Sequence, residues 1–436
     1  MKFSIDKAVK TYLDPRIWQI LGFGFVSGLP LALTTGTLTY WLAREGVDKT
    51  AIGLFALLGI PYAFKFLWAP LLDHLPAPPP FGRLGRRRGW AIVIQLALMA
   101  ALLAMGAADP NETTLLFGLA GLSVAFLSAS QDIVIDAFRI ELLDRDEQGA
   151  GAAAIQLGYR LGMLVSGAGA IWMSAFLPWF WVYAGMAACL PIGMLLILTA
   201  NEPAESLESL SQDRKAGYAE WLKRAVVAPF LDFMKHPGWI ALLAFALLYK
   251  FGDAIGGIMA NPFYVEMGFS AEQIASVTKF FGLGATILGT IAGGALVAGI
   301  GLIRALVIAG ILQAVTNLLF ALLAANGADV ALLALAVGAD NFTGGLGSAA
   351  FVAYLSSLCS VAHTGTQYAL LTSLMALGRS FFSSGGGWLA DQMDWVTFFI
   401  ATTGLAVPGL LLLWLIARLP ERLPAREPGQ RMDAKP

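Results

Sequence analysis

The sequence predicts an all-α polytopic membrane protein, with twelve transmembrane helices in two groups of six. Composition, the length of the apolar runs and the placement of basic residues carry that prediction. Of 436 residues, 58% are apolar and only 13% charged, where a soluble domain carries about 25% charged. Mean hydropathy is +0.71. A water-soluble fold, a disordered scaffold and a secreted disulfide module are excluded. The net charge of −1 gives no general attraction to nucleic acid. The two cysteines, Cys189 and Cys359, sit in apolar runs and suggest neither a disulfide framework nor a metal site. The 48 glycines and 20 prolines suit packed and broken transmembrane helices better than long loops.

A spanning helix needs about 20 mostly apolar residues. On that ruler the first six spans fall near 17–43, 51–73, 90–107, 113–138, 150–175 and 179–199. Six more fall near 238–265, 271–297, 302–325, 328–358, 365–390 and 395–418. The N-terminal lysines followed by an apolar run have the look of a signal peptide. The run continues to Trp41 without a convincing small-residue cleavage site, so it reads as a retained first span.

Orientation follows from the basic residues. They gather in the N-terminal arm (Lys2, Lys7, Lys10, Arg16), after the second span (Arg83, Arg86, Arg87, Arg88), in the middle stretch (Arg214, Lys215, Lys223, Arg224, Lys235) and in the tail (Arg418, Arg422, Arg426, Arg431). Alternate loops hold mainly acids: Asp109, Glu112, Glu266, Glu272, Asp391 and Asp394. Arg44 and Lys49 are exceptions that Glu45 and Asp48 offset. Both termini are therefore expected in the cytoplasm. The predicted organisation is an N-terminal half over 1–199, a cytoplasmic linker over 200–237, a C-terminal half over 238–418 and a cytoplasmic tail over 419–436.

The halves echo each other weakly. Gly46-Val47-Asp48 before Ile52 recurs as Gly268-Phe269-Ser270 before Ile274, and Ser270 with Gln273 has the spacing of a capping box. Two six-helix halves around a charged linker are the outline of the major facilitator superfamily, whose substrate site lies between the halves near mid-membrane. The outline predicts a transporter and names no substrate; a single chain in the lipid bilayer is the expected working unit.

Ionisable residues within apolar runs each cost about 2.5–3.5 kcal/mol on insertion scales, so they predict an internal polar cavity or specific partners. At about 1.5 Å of rise per residue, Lys65, Arg160, Lys250, Asp253, Asp340 and Arg379 all fall near mid-membrane. Their cations exceed their acids by two, which favours an anionic substrate. Lys250 and Asp253 are also spaced as an i,i+3 pair, so internal pairing is the competing reading. Arg160 has Gln156 and Tyr159 beside it, and a guanidinium can clamp a carboxylate with two hydrogen bonds.

Asp132 and Asp136 lie four residues apart on one face of the fourth span. Two carboxylates so close and partly shielded from water share charge poorly, which suits them to carry a proton. The competing reading is a gate latch, with Asp136 and Arg139 pairing with the arginines at 86–88.

Several broken or polar segments line up with these charges: Ser27-Gly28-Leu29-Pro30, Pro61-Tyr62 before Lys65, Asn261-Pro262, and Asp340-Asn341 before Gly344-Gly345. Trp41, Tyr62, Tyr159, Tyr249 and Tyr264 are candidates to stack on sugar rings, with interface anchoring as the plainer reading for Trp41 and Tyr264. No lysine follows a glycine, so there is no phosphate-binding Walker motif. His74, His236 and His363 lack the carboxylate partner of a membrane acyltransferase motif, and no metal-ligand cluster stands out. An enzyme is not expected.

Six stretches carry a resemblance. Lys65-Phe66-Leu67-Trp68-Ala69-Pro70-Leu71-Leu72-Asp73 followed by Gly85-Arg86-Arg87-Arg88-Gly89-Trp90 is similar to a lengthened facilitator loop between the second and third helices. Ser27-Gly28-Leu29-Pro30-Leu31, Ser128-Ala129-Ser130-Gln131-Asp132-Ile133-Val134-Ile135-Asp136-Ala137, Gly149-Ala150-Gly151-Ala152-Ala153 and Gly158-Tyr159-Arg160-Leu161-Gly162-Met163 resemble the AmpG-type muropeptide permeases. These motifs span the first 200 residues, and the C-terminal half matches in general layout.

The resemblance implies a bacterial inner-membrane importer of N-acetylglucosaminyl-1,6-anhydro-N-acetylmuramic acid and its peptides. It would be driven by the proton gradient without a cofactor, serving cell-wall recycling and in some bacteria β-lactamase induction. It assigns the family's acidic pair to Asp132 and Asp136 and its Tyr-Arg to Tyr159 and Arg160. The candidate substrate set is Lys65, Tyr62, Gln131, Tyr159, Arg160, Lys250, Asp253, Asp340, Asn341 and Arg379. The candidate gate is Asp73, Arg86, Arg87, Arg88 and Arg139. The alternatives are a facilitator for another anionic solute (a sugar phosphate, a peptide or an acyl-CoA) and a non-transporting sensor on the same fold.

Overall fold

A computed structural model describes residues 11–47, 55–144, 146–203, 227–360, 363–384 and 386–418. The interior of the predicted linker, the predicted tail and the basic residues Lys2, Lys7, Lys10 and Lys49, with Asp48, lie outside the described residues. Among the described residues there is helix and no strand, and nine helices are long and apolar enough to cross a membrane.

In chain order the α-helices are α1 (Pro15–Leu33), α2 (Gly36–Arg44), α3 (Ile60–Phe64), α4 (Ala69–His74), α5 (Arg86–Ala107), α6 (Thr114–Leu142), α7 (Gln148–Leu164), α8 (Ala170–Met173), α9 (Trp179–Ala187) and α10 (Leu190–Thr199). They continue as α11 (Ala228–Met234), α12 (Trp239–Leu248), α13 (Phe251–Glu266), α14 (Ala271–Ala275), α15 (Gly282–Ile300), α16 (Leu302–Asn326), α17 (Val330–Ser357), α18 (Thr364–Ser384), α19 (Gly386–Asp391), α20 (Trp395–Leu405) and α21 (Val407–Ile416).

Several predicted spans are broken, and the breaks have local causes. The predicted helix over 51–73 is not one continuous α-helix. Two 3-10 turns, Phe55–Gly59 and Lys65–Leu67, alternate with α3 and α4, each of which starts beside a proline, Pro61 or Pro70. Proline removes a backbone donor and crowds the preceding turn, so it opens a new helix more readily than it continues one. The predicted span over 150–175 carries a π-turn, Val165–Gly169, between α7 and α8. The span over 238–265 breaks at Tyr249 and Lys250, between α12 and α13, which leaves polar backbone at mid-span. Such a break is tolerated where it lines a polar cavity.

Caps fix the helix starts. Ser270 and Gln273 cap α14 reciprocally: the Gln273 amide donates to Ser270 Oγ at 3.2 Å, and the Ser270 amide to Gln273 Oε1 at 2.9 Å. Asp329 and Asp394 cap α17 and α20 through their carboxylates.

The hydrophobic core forms three clusters. One is built from residues between Ile17 and Ala200, joined by Ala369. The other two are built mainly from residues between Phe233 and Ile416, and Ile140 and Ala152 reach into one of them. Helix α7 lies between α1 on one side and α15 and α17 on the other. The α1–α7 crossing is close because glycines make it: a Cβ at Gly158 would strike the Leu21 carbonyl, and one at Gly28 the Tyr159 carbonyl.

Candidate functional site

A cavity of about 440 Å³ opens where α7, α13, α16, α17 and α18 converge. Its polar lining is Gln156 and Arg160 from α7, Lys250 at the α12–α13 break, Asp253 and Tyr264 from α13, Thr286 from α15, Gln313 and Asn317 from α16, and Asp340, Asn341 and Ser348 from α17.

Arg160 is mostly buried, and its Nε has no hydrogen-bond partner among the described residues. Lys250 Nζ lies 3.5 Å from Asp253 Oδ2 and donates to the Gly344 carbonyl at 3.4 Å, so the i,i+3 pair that the spacing suggested is present. Asp253 also accepts from the Gln313 amide. Asn341 is held by Thr286, whose hydroxyl donates to Oδ1 at 2.9 Å, and by its own donation to the Val337 carbonyl at 2.9 Å.

The structure divides the predicted substrate set. Arg160, Lys250, Asp253, Asp340 and Asn341 line this cavity; Lys65, Tyr62, Gln131 and Tyr159 do not. The side chain of Arg379 lies outside the described residues. Among the described residues the lining holds two cations, Arg160 and Lys250, and two acids, Asp253 and Asp340.

A second cluster surrounds the α6 acids. Asp132 is buried and accepts a 2.6 Å hydrogen bond from the Ser27 hydroxyl of α1. Lys65 is buried within electrostatic range of both Asp132 and Asp136. Asp136 is half-buried, with Arg139 as its second cation. The Tyr62 hydroxyl is buried beside Ser128 and Thr34, and the Gln131 amide donates to the Val26 carbonyl at 2.8 Å. Lys65, placed with the substrate groups by its depth, is thus the counter-charge of the acidic pair.

A third network closes one end of the helix assembly. Asp73, at the end of α4, is fully buried 2.8 Å from Arg87. Arg87 also pairs with the buried Glu141 of α6 at 2.5 Å, and Arg86 donates to the Asp73 carbonyl. Across the interface, Asp73 accepts from the backbone amides of Gly365 at 3.2 Å and Thr366 at 2.6 Å, and from the Thr366 hydroxyl at 2.6 Å. These donors stand at the N-terminus of α18, where the helix dipole favours an anion. The rings of His74 and His363 lie beside this contact, tilted by 48° with centroids 5.5 Å apart.

Arg139 takes a different crossing, donating to Ser356 Oγ of α17 at 2.7 Å and lying over the Tyr368 ring. Arg88 points away, donating to the Leu198 carbonyl at 2.7 Å. Among the described residues neither Asp136 nor Arg139 pairs with the arginines at 86–88. Sequence reasoning missed Glu141, and it missed Glu202, which accepts from the Arg87 and Arg88 amides at 2.8 and 3.0 Å. Gly85 permits that approach with φ of +104°, where a Cβ would also strike Glu202.

Comparison with known proteins bears on what this assembly is. A Major Facilitator Superfamily profile matches residues 247–436, and a profile described as acetyl-coenzyme A transporter 1 matches residues 17–117. The Escherichia coli fucose:proton symporter FucP shares the fold, with a TM-score of 0.68 at 12% identity over 93% of this chain and 99% of that one. The proton:xylose symporter XylE does so with a TM-score of 0.63 at 13% identity over 95% and 97%. The decisive similarity is in sequence: the anhydromuropeptide permease of Escherichia coli K12 is 41% identical over 408 residues, 93% of this chain and 80% of that protein. The chain belongs to the anhydromuropeptide permease family. A putative transporter AmpG 4 of Rickettsia felis is 33% identical over 406 residues, 93% of this chain and 97% of that one. The likeness read from the first 200 residues therefore runs along almost the whole permease. The permease is a multi-pass membrane transporter of the major facilitator superfamily and not an enzyme.

Proposed function

We propose that the permease imports anhydromuropeptides, GlcNAc-1,6-anhydro-MurNAc with or without peptide, across the bacterial inner membrane in symport with protons for cell-wall recycling. Twelve spans form two six-helix halves, over 1–199 and 238–418, with both termini in the cytoplasm and one chain as the working unit. The halves rock about the central cavity to expose it alternately to each side.

The observation that carries this reading is Arg160: a guanidinium whose buried Nε lacks a partner among the described residues, in a polar cavity of about 440 Å³, within a chain 41% identical to an anhydromuropeptide permease. A muropeptide offers the carboxylate that such a group binds, with sugar hydroxyls and amides for Gln156, Asn317 and Asn341. Moving one negative charge inward against an inside-negative potential costs about 2.3 kcal/mol per 100 mV, and a co-transported proton cancels that charge. Asp132, with Asp136 and Lys65 around it, is the group assigned to that proton. Asp73, Arg86 and Arg87 hold the cytoplasmic side shut.

Uptake of labelled GlcNAc-anhydro-MurNAc into proteoliposomes, with and without an inward proton gradient, tests the reading. Gradient-stimulated accumulation is expected. Uptake that ignores the gradient discards the proton role and keeps the substrate. No uptake by inserted, folded protein discards the substrate. A panel of other anionic solutes, acyl-CoA included given the profile match over residues 17–117, would then identify the cargo.

A further inference from the structure

We propose that the cavity is bipolar: Arg160 receives a carboxylate and Asp340 receives an ammonium group, so the permease prefers muropeptides whose peptide carries a free amine. The inference rests on the muropeptide reading above and concerns which members of that class bind best.

The charges of the lining carry it. Lys250 is already engaged, by Asp253 at 3.5 Å and by the Gly344 carbonyl. Asp253 is engaged in turn by Lys250 and by the Gln313 amide. Two charges remain without an ion-pair partner among the described residues, Arg160 on α7 and Asp340 on α17. The groups acting on Asp340 are the Thr316 hydroxyl, Tyr264, the Asp253 carboxylate and the already engaged Lys250. A buried charge that the protein leaves uncompensated favours a ligand of opposite sign.

Their placement follows from the contacts between α7 and α17. The Gln156 amide donates to the Ser348 carbonyl, while Arg139 bridges Gln148, at the start of α7, to Ser356, at the end of α17. The two helices therefore run antiparallel. Counted from the Gln156–Ser348 contact at about 1.5 Å per residue, Arg160 lies about 6 Å along the axis and Asp340 about 12 Å along it in the same direction. An anion and a cation held about one helical turn apart along the axis fit a bipolar ligand better than a simple anion.

A further group points to the peptide. Asn317 is 4% exposed and lines the cavity, and its Nδ2 has no hydrogen-bond partner among the described residues. A buried amide donor in the cavity lining, without a partner among the described residues, matches the carbonyl of a peptide bond. The peptide-free disaccharide supplies the carboxylate but no ammonium for Asp340.

The test is competition against labelled GlcNAc-anhydro-MurNAc for binding to the detergent-solubilised full-length permease. The competitors are the disaccharide bearing a tripeptide that ends in lysine, and the same compound with its lysine amine acetylated. Wild type is expected to bind the free amine about tenfold more tightly than the acetylated form, the scale of one charge-assisted hydrogen bond. Asp340→Asn should bring the ratio towards one, and Asp340→Glu should retain it. A wild-type ratio near one overturns the proposal, as does a preference that survives in Asp340→Asn. Loss of all three compounds alike in Asp340→Asn also overturns it, since Asp340 would then hold the site as a whole. Failure of wild type to bind even the peptide-free disaccharide would sink the muropeptide reading itself, and this inference with it.

Discussion

Ser27 of α1 and Asp132 of α6 are joined by a 2.6 Å hydrogen bond between buried side chains, with Lys65 and Asp136 acting on the same carboxylate. A carboxylate so placed has one hydroxyl partner, one nearby cation and one nearby anion, and it can exist with or without its proton. Asp132→Asn keeps the size and the bond to Ser27 but removes the site of protonation. It should abolish gradient-driven accumulation while leaving exchange of labelled for unlabelled substrate. Accumulation at the wild-type level would remove Asp132 from the proton path.

Arg160 contributes to the cavity a charge that the described lining leaves unpaired. Arg160→Ala should raise the apparent Km by at least about tenfold, since hydrogen bonds to charged groups are worth about 1.5–3 kcal/mol. Arg160→Lys should recover only part of the loss, because an ammonium cannot form the planar fork. Initial-rate uptake against substrate concentration gives the answer, and an unchanged Km excludes Arg160 from the site.

Much of this organisation was legible in the sequence because lipid makes it so. Long apolar runs announce helices, and a charge inside one announces either a partner or a cavity, hence Lys250 with Asp253 and Arg160 at the cavity wall. Depth along a span is also legible, but the direction a side chain faces relative to other helices is not. Lys65 and Arg160 fall at similar depths, yet one serves the α6 acids and the other faces the cavity. Glu141 escaped notice for a related reason. It lies near a helix end, where an acid reads as solvated, and its burial depends on Arg87 arriving from a helix that starts 55 residues earlier.

Asp14, ahead of α1, is held below the ordinary carboxylate range chiefly by the hydrogen bond from Arg16, which also reaches Glu147 at 2.6 Å. A lowered folded-state value means that the contribution of Asp14 is present above its unfolded value and lost only as pH falls through the lower folded one. Across about pH 5 to 8 it stays ionised. The pH profile of uptake in that window should therefore be the same in Asp14→Asn as in wild type. A displaced profile would show that the N-terminal segment titrates with the transport cycle.

Asp73 ties the first part of the chain to the start of α18 through Gly365 and Thr366, and Arg87 lies 2.8 Å behind it. Removing the arginine leaves two buried carboxylates, Asp73 and Glu141, without their shared cation, and breaking a buried pair in this way costs about 3–5 kcal/mol. Arg87→Ala should therefore lower the thermal midpoint of the detergent-solubilised permease by several degrees. Asp73→Asn has a different expected effect. It weakens the grip on the α18 N-terminus, so the protein should spend more time open at this end. Cys359, at the end of α17 and within electrostatic range of Asp73, reports on that opening. With Cys189 replaced by serine, maleimide labelling of Cys359 should be faster in Asp73→Asn than in wild type. Added muropeptide should speed wild-type labelling as well, because substrate drives the same opening. Equal labelling rates in the two proteins would mean that Asp73 braces the fold without gating it.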